Sequence, residues 1–214
     1  MKSINCRQKD VARLLRKQKA LIKYKLKMPK KIKNKSGGQF MKKGIFVLLF
    51  CFMFSMTDLA YSQQFKKYKV TQANFEYTIR YPSNWKIINI EGALQLFAPT
   101  NFSDNFKPNI VILVTDLNSI KRNFEEFQDL WGKTISAELS DFKLIEKGKT
   151  LIDGKMAFYY IYTGEKDKKK FRYKSYSIKN ANFVYELIYE DRDETFDFNL
   201  DLAEVIMQSI KIVK

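Results

Sequence analysis

The sequence predicts an α+β fold, in which an antiparallel sheet has helices packed on its faces. The first observation is a pair of consecutive hairpin patterns in the C-terminal half, because strands joined by tight turns run antiparallel. The second is a pair of segments, Asn123–Leu139 and Phe196–Ser209, whose apolar residues recur at helical spacing. Each helix must bury its apolar stripe, and a sheet face provides the surface. We therefore expect one domain over residues 63–214.

The first part of this domain is predicted to contain short, half-buried strands. Gln63–Lys69 is polar and is interpreted as a lead-in that precedes them. A turn at Pro82-Ser83-Asn84 separates the first two strand patterns, since proline removes a hydrogen-bond donor and asparagine tolerates turn geometry. Alternation of apolar and polar residues predicts strands at Phe75–Tyr81, Trp85–Ile90 and Leu94–Phe97, followed by a loop to Pro108.

The middle of the chain is predicted to hold a fully buried strand and then a helix. Asn109–Leu117 is apolar on both faces, which is typical of a central strand covered on both sides. Asn123 and Glu126 have the spacing of a capping box, which marks the start of a helix. The stripe that this helix should bury consists of Phe124, Phe127, Trp131, Ile135 and Leu139.

Two hairpins and a second helix are expected to complete the domain. Their turns are Asp153-Gly154 and Asn180-Ala181-Asn182, and the Asp-Gly pair strongly favours a tight hairpin. The strands are predicted at Phe142–Ile152, Lys155–Gly164, Phe171–Lys179 and Phe183–Glu190. The residues of the C-terminal helix that are expected to face inward are Leu202, Val205, Ile206 and Ile210.

Ahead of the domain, Met41–Ser62 has the order of a secretory signal peptide. Lys42 and Lys43 precede an uncharged run, small residues follow it, and cleavage is expected between Ser62 and Gln63. The run is shorter than the roughly 20 apolar residues of a spanning helix. An uncleaved anchor and a buried core segment are the alternatives. We therefore expect an exported protein that is periplasmic or secreted.

The strong positive charge of the chain belongs to its leader. The net charge is +16, but residues 1–43 contain 16 Lys and Arg and a single acid, Asp10. Residues 63–214 contain 23 basic and 21 acidic residues, so the domain is not expected to bind nucleic acid. Residues 1–40 are interpreted as a start-site artefact or a disordered leader, the alternative being a nucleic-acid or membrane-surface arm. Membrane contact is expected only through the signal segment before cleavage.

The residue types that perform much hydrolytic and metal chemistry are missing. The chain has no histidine, which excludes Ser-His-Asp and Cys-His nucleophiles and histidine-bound zinc. Its two cysteines, Cys6 and Cys51, both precede the domain, which therefore has neither a thiol nor a disulfide. We predict that the protein is not an enzyme. The alternative is an enzyme that relies on carboxylates, lysine or tyrosine.

The segment Phe75–Lys86, FEYTIRYPSNWK, resembles the opening strand and turn of PsbP-like proteins. Phe97-Ala98-Pro99, the Asn109–Leu117 strand, the first helix, the Asp-Gly hairpin, and the closing hairpin and helix follow in the same order. The resemblance covers Val70 to Val213 and implies an α/β/α sandwich around an antiparallel sheet.

The same resemblance implies a non-enzymatic role. The namesake is an extrinsic subunit of the oxygen-evolving complex, which supports its calcium and chloride. A nuclear-import factor that binds a small GTPase shares the fold, as do bacterial envelope lipoproteins. Because the chain lacks histidine and its domain is nearly neutral, no functional residue is carried over from the namesake.

Two groups of residues are candidate sites. The densest acidic cluster consists of Glu190, Asp191, Asp193, Glu194 and Asp197, and its first four members offer the oxygen ligands of a weak calcium site. Its other interpretation is stabilisation of the helix that follows, because carboxylates favour a helix N-terminus. Apart from this weak calcium site, no cofactor is expected.

The second group is a set of tyrosines on the predicted hairpin strands. Aromatic residues on adjacent strands can line a pocket or a protein-binding surface with polar handles, but they also suit an ordinary strand core. This group comprises Tyr160, Tyr162, Tyr173, Tyr185 and Tyr189.

The expected function is that of an exported, non-catalytic binding or accessory protein of the bacterial cell envelope. Its partner would be another envelope protein or a small apolar ligand. The alternative is a small-molecule or lipid carrier that uses the aromatic face of the sheet. The sequence predicts no oligomeric state.

Overall fold

The computed structural model describes residues 63–90, 93–99 and 106–213. The predicted signal segment Met41–Ser62 and the basic leader at residues 1–40 lie outside these described residues, as does the residue before the predicted cleavage point. No helix within the described ranges is long and apolar enough to cross a membrane.

The described chain is mostly strand, with two long helices and one short one. In order, its elements are β1 (Phe65–Thr71), β2 (Glu76–Pro82), β3 (Lys86–Ile90), β4 (Ala93–Phe97), β5 (Asn109–Asp116), α1 (Leu117–Ile120), α2 (Phe124–Glu138), β6 (Ser140–Ile152), β7 (Lys155–Lys166), β8 (Lys169–Asn180), β9 (Phe183–Arg192), α3 (Phe196–Gln208) and β10 (Lys211–Ile212).

These strands form two antiparallel sheets. The larger has seven strands in the order β3-β4-β5-β9-β8-β7-β6, and the smaller has three in the order β1-β2-β10. Consecutive strands from β6 to β9 pair as hairpins, and β5 pairs with β9 along its full length, from Asn109 opposite Glu190 to Asp116 opposite Phe183. The predicted antiparallel α+β architecture is confirmed, with two sheets where one was expected.

Two hydrophobic clusters cover the two faces of the seven-stranded sheet. Cluster one packs this sheet against the small sheet and α3, and its fully buried members include Tyr77, Ile79, Tyr185, Leu187 and Ile206. Cluster two packs the opposite face against α2, with Phe124, Phe127 and Trp131 from the helix. The predicted central strand β5 contributes to both clusters, Ile110 and Ile112 to one and Leu113 to the other.

Local sequence signals account for the ends of several elements. Asn123 accepts a 2.8 Å hydrogen bond from the backbone N–H of Glu126, whose side chain accepts in return from the N–H of Asn123, so the capping box is confirmed. In the β6–β7 turn, Asp153 (φ +51°) and Gly154 (φ +69°) both adopt the left-handed conformation. Two successive positive φ values fit the twist of a two-residue hairpin, which explains the Asp-Gly pair.

The structure differs from the prediction at the start of the domain. The polar lead-in is largely strand β1, which pairs with β2 from Phe65 opposite Pro82 to Thr71 opposite Glu76. This strand lies at the edge of the small sheet and buries Val70 alone, so lysines occupy its exposed positions. Such an edge strand shows little periodic signal, and its pairing comes from the partner strand.

The inward set predicted for the C-terminal helix also needs correction. Ile206 and Ile210 are buried and Leu202 is half-buried, but Val205 is 55% exposed. The buried side of α3 is centred on Ala203, Ile206 and Met207. At 100° per residue, Val205 points away from that side, because it lies about 200° from Ala203.

Candidate functional site

Alternation along β7, β8 and β9 divides the five candidate tyrosines between the two faces of the seven-stranded sheet. Tyr160, Tyr162 and Tyr173 belong to cluster two, beneath α2. Tyr185 and Tyr189 belong to cluster one and are fully buried. The five side chains therefore do not form one surface, and a site on the α2 side can use three of them at most.

The three tyrosines beneath α2 are held in place by stacking and hydrogen bonds. The rings of Tyr162 and Tyr173, which are opposite each other on β7 and β8, stack with centroids 4.9 Å apart and planes 10° apart. The Tyr160 hydroxyl donates a 3.0 Å hydrogen bond to Oε1 of Gln128 on α2. Desolvation raises the pKa of Tyr160, Tyr162 and Tyr173, so all three hydroxyls stay neutral hydrogen-bonding groups.

A line of polar side chains crosses the same face of the sheet from β4 to β9. Nε2 of Gln95 donates to Oδ1 of Asn109 at 3.0 Å, and Nδ2 of Asn109 donates to Oε2 of Glu190 at 2.9 Å. After desolvation, the charge of Glu190 is the largest cause that raises the pKa of Tyr173. Glu190 therefore interacts with Asn109 on one neighbouring strand and with Tyr173 on the other.

The sequence did not single out Glu186, which lies at the centre of this face. Its side chain is 1% exposed, between Val184 and Ile188 of cluster two. Oγ of Ser177 donates to one carboxyl oxygen of Glu186 at 3.3 Å, and the other oxygen, Oε2, has no hydrogen-bond partner within the described residues. Desolvation raises the pKa of Glu186 well above its usual value, which favours the neutral carboxylic acid.

The acidic cluster at the end of β9 does not converge on one point. Asp191 is fully buried and accepts four hydrogen bonds of 2.7–2.9 Å, from the Tyr189 hydroxyl, the N–H of Arg192, the Thr195 hydroxyl and the Asn199 amide. These bonds tie the end of β9 to the first turns of α3. The role of this carboxylate is to hold the strand and the helix together.

Asp193 faces basic residues of β8. Its carboxylate accepts from Arg172 at 2.7 Å and contacts Lys170 at 2.8 Å. The hydrogen bond from Lys170, together with that of Arg172, lowers the pKa of Asp193 against the opposing effect of burial. Glu194 is exposed in the turn before α3. In the part of the chain that the structure describes, no three acidic side chains are grouped to bind a metal ion, and the calcium site stays a prediction.

A third feature, on the outside of α3, was not expected from the sequence. Phe198 is 88% exposed, Val205 is 55% exposed, and Leu202 lies half-buried between them. The spacing of four and three residues puts all three on one side of the helix. Phe198 and Val205 face outward, and Leu202 also packs against cluster one at the edge of this side. We call Phe198, Leu202 and Val205 the outer row. Leu151 on β6 and Met156 on β7 form a second exposed apolar pair. They are opposite each other in the hairpin, beside its turn.

Comparison with known proteins supports the fold. No protein-family model matches the chain, and a comparison with curated proteins by sequence finds no match. Among solved structures, LpqN of Mycobacterium tuberculosis, described as involved in cell envelope biogenesis, is 15% identical with a TM-score of 0.53. That match covers 74% of this chain and 97% of LpqN.

Two further structures extend this likeness. Cyanobacterial PsbP from Synechocystis sp. PCC 6803 is 14% identical with a TM-score of 0.50, over 71% of this chain and 94% of its own. The Saccharomyces cerevisiae Ran-binding protein Mog1p is 8% identical with a TM-score of 0.50, over 72% of this chain and 97% of its own. The chain has the PsbP-like fold, as the sequence resemblance predicted. At these identities, the likeness concerns the fold alone.

Proposed function

We propose that residues 63–213 form an exported, non-catalytic binding domain of the bacterial cell envelope, which docks on another envelope protein through the outer row of α3. The observation that carries this proposal is the 88% exposure of Phe198. Single exposed aliphatic residues are common on protein surfaces. An exposed phenylalanine in register with a second exposed apolar residue on a rigid helix is typical of a protein-binding anchor.

The surroundings of the outer row define the chemistry of the partner. Asp201 lies between Phe198 and Val205 in the sequence and on the same exposed side of α3. Asp197, whose carboxylate is 75% exposed, precedes Phe198 and pairs with Arg172. An apolar row with carboxylates along one side is complementary to a partner segment that has apolar residues flanked by Lys or Arg. The partner is thus expected to be a protein with a basic rim.

Two observations support the location in the envelope. The signal-peptide pattern at Met41–Ser62 precedes the domain directly. LpqN, which shares the fold, is described as involved in cell envelope biogenesis. Mog1p, of the same fold, is described as Ran-binding, which is consistent with a fold that serves protein recognition. A non-catalytic role agrees with the absence of histidine from the whole sequence and of cysteine from the domain.

The experiment places a photo-cross-linking amino acid at position 198 of the full-length protein in cells that make it natively. A second sample has the same group at position 151, because Leu151 is 67% exposed and offers a matched apolar site on another surface. We expect a discrete adduct with one envelope protein from position 198 and none from position 151. Equal labelling from both positions, or none from either, would contradict the docking surface.

Matched double variants then measure the interaction with the captured protein. Phe198→Ser with Val205→Ser removes the two exposed members of the outer row. Leu151→Ser with Met156→Ser removes the exposed apolar pair of the β6–β7 hairpin, which has a similar exposure. Loss of a central aromatic anchor costs about 2 kcal/mol or more, so we expect at least a tenfold loss of affinity from the first variant alone. Fractionation of the same cells, with the N-terminus determined, tests export separately; an intact leader would refute cleavage after residue 62.

A further inference from the structure

The layer between α2 and the seven-stranded sheet contains buried polar groups that no described residue satisfies. Glu186 lies on a central strand at 1% exposure, with Oε2 unpartnered within the described residues. From α2, Nε2 of Gln128 and the indole Nε1 of Trp131 are also buried and unpartnered in the described part of the chain. The outer row lies on the opposite side of the sheet, so this feature is independent of the proposed docking surface.

All three groups lie beside residues of cluster two, between α2 and the same face of the sheet. Gln128 and Trp131 are three residues apart and therefore lie on one side of α2. The Tyr160 hydroxyl is bonded to Gln128, and its pKa is raised by burial, then by the charge of Asp129 and then by that of Glu186. Glu186 raises the pKa of Tyr162 in the same way, so both tyrosine hydroxyls lie within electrostatic range of the buried carboxyl group.

Buried polar groups of this kind need hydrogen-bond partners. Each buried donor or acceptor left without a partner costs about 1–3 kcal/mol, and native structures keep few of them. The neighbours of Glu186 along β9, Val184 and Ile188, show that apolar residues occupy this face elsewhere. A leucine at position 186 would avoid the cost, so the carboxyl group is better explained by a molecule that satisfies it.

We propose that the buried polar groups of Glu186, Gln128 and Trp131 bind a small uncharged ligand that carries both a hydrogen-bond donor and an acceptor beside an apolar group. The N–H groups of Gln128 and Trp131 donate to the acceptor, and the Glu186 carboxyl group bonds the remaining polar atom. Phe127, which stacks on Trp131 at 6.4 Å, and Tyr162 provide apolar surface. A charged ligand is disfavoured because it would lose its hydration among the apolar side chains of cluster two.

The test uses the two tryptophans of the full-length protein. Trp131 lies in the proposed site, and Trp85 lies in cluster one on the other face of the sheet. The chain has two tryptophans, so a nitrogen-15 spectrum contains two indole N–H signals. The probe is benzamide, an uncharged aromatic amide, and toluene is the apolar control. We expect benzamide to shift the Trp131 signal and leave the Trp85 signal in place, and toluene to shift neither.

Three variants make the outcome decisive. Trp131→Phe assigns the signal by removing it and keeps an aromatic ring. Glu186→Gln preserves the shape and the hydrogen-bonding capacity of the neutral acid, so benzamide should bind within about twofold of its original affinity. Glu186→Leu removes the polar partner and should weaken binding about tenfold or more, as expected for one lost buried hydrogen bond. Since Glu186→Gln is nearly isosteric, it remains informative if Glu186→Leu misfolds.

An unmoved Trp131 signal at millimolar benzamide would overturn the proposal and leave ordered water as the occupant. A shift by toluene equal to that by benzamide would overturn it as well, because the polar groups would then play no part. Native mass spectrometry of the protein purified from its own cells gives a second readout. A bound mass that is retained by Glu186→Gln and lost from Glu186→Leu would support the site and identify its ligand.

Discussion

The carboxylate of Asp153 accepts a 2.9 Å hydrogen bond from the backbone N–H of Ile212, 59 residues further along the chain. Asp153 lies in the β6–β7 turn of the seven-stranded sheet, and Ile212 lies in β10 of the small sheet. The same carboxylate accepts from Nζ of Lys211 at 2.9 Å and contacts Lys155 at 3.7 Å. One turn residue therefore fastens the C-terminal end of the domain to the larger sheet.

Replacing Asp153 with asparagine should destabilise the domain by about 1–2 kcal/mol at neutral pH, the cost of charge-assisted hydrogen bonds. Burial alone would raise the pKa of Asp153, but the hydrogen bonds from Lys211 and Ile212 and the nearby lysine charges lower it overall. A lowered folded-state pKa contributes stability that is fully present above the unfolded value of 3.8 and is lost as the pH falls through the folded-state pKa. Urea unfolding should thus show a larger difference between the two proteins at pH 7 than at pH 3.

Asp141→Asn is the matched control for this turn. Asp141 also has a positive φ, +50°, and faces a lysine, Lys143, at 3.5 Å, but its side chain is 51% exposed. An exposed ion pair contributes about 0–1 kcal/mol, so this variant should change the free energy of unfolding little. An equal loss from both variants would show that the turn conformation, and not the bond to Ile212, determines the effect.

Glycine at position 164 is required by the packing of α2. A Cβ added there would lie 2.6 Å from Cβ of Leu139, an atom fixed to the backbone just after the helix. Gly164→Ala should therefore cost about 1–3 kcal/mol through overpacking. Gly132, within α2, has no atom within 4 Å of an added Cβ. Gly132→Ala should stabilise the domain by roughly 0.5–1 kcal/mol. Thermal unfolding of the two variants measures both effects, and unfolding temperatures that shift in the same direction would contradict the close approach of Gly164 to Leu139.

Short-range signals determined how much of this fold the sequence could predict. The capping box of α2, the Asp153-Gly154 turn and the doubly apolar β5 each depend on a few neighbouring residues, and all were confirmed. The small sheet depends on pairing between β1, β2 and the distant β10, and no local pattern reports it. This is why β1 was interpreted as a lead-in and β10 was missed.

The candidate site was less predictable for a related reason. A glutamate within an alternating strand, such as Glu186, normally indicates the solvent side. It is buried because α2 covers that face, which depends on where the helix packs and not on the strand. Likewise, the division of Tyr160 and Tyr162 from Tyr185 and Tyr189 follows from the register of β7, β8 and β9. The alternation of side chains could have indicated this division once that register was known.

The buried Glu186 should make the domain less stable as the pH rises. Desolvation raises its folded-state pKa well above the usual value of 4.5, so above that pH the unfolded chain releases a proton that the folded domain keeps. The free energy of unfolding therefore declines with increasing pH until the folded-state pKa is passed. Glu186→Gln removes this titration and should become progressively more stable than the original protein from about pH 5 to pH 8.

The measurement is urea unfolding of both proteins across that pH range. Glu138→Gln, an exposed glutamate at the end of α2, is the control and should leave the pH dependence unchanged. A difference between Glu186→Gln and the original protein that stays constant with pH would mean that Glu186 does not titrate differently on folding. In that case, the change in the free energy of unfolding caused by Glu186→Gln would come from packing alone.

Asp191 should be the most sensitive member of the acidic cluster, because its two oxygens accept four hydrogen bonds in a fully buried position. One carboxylate oxygen of Asp191 accepts from Tyr189 and Asn199, and the other accepts from Arg192 and Thr195. Asp191→Asn replaces one of these oxygens with an N–H₂ group, which then faces two donors. At least one buried donor is then left unsatisfied, so we expect a loss of about 3 kcal/mol in the free energy of unfolding.

Asp201→Asn on the exposed side of α3 is its control and should change the free energy of unfolding by about 0.5 kcal/mol or less, as surface substitutions usually do. Calcium gives the second measurement. If Asp191 serves to join β9 to α3, millimolar calcium should leave the unfolding temperature of the original protein unchanged, because its carboxylate already has four donors. A rise with calcium that Asp191→Asn abolishes would instead assign this carboxylate to a cation site.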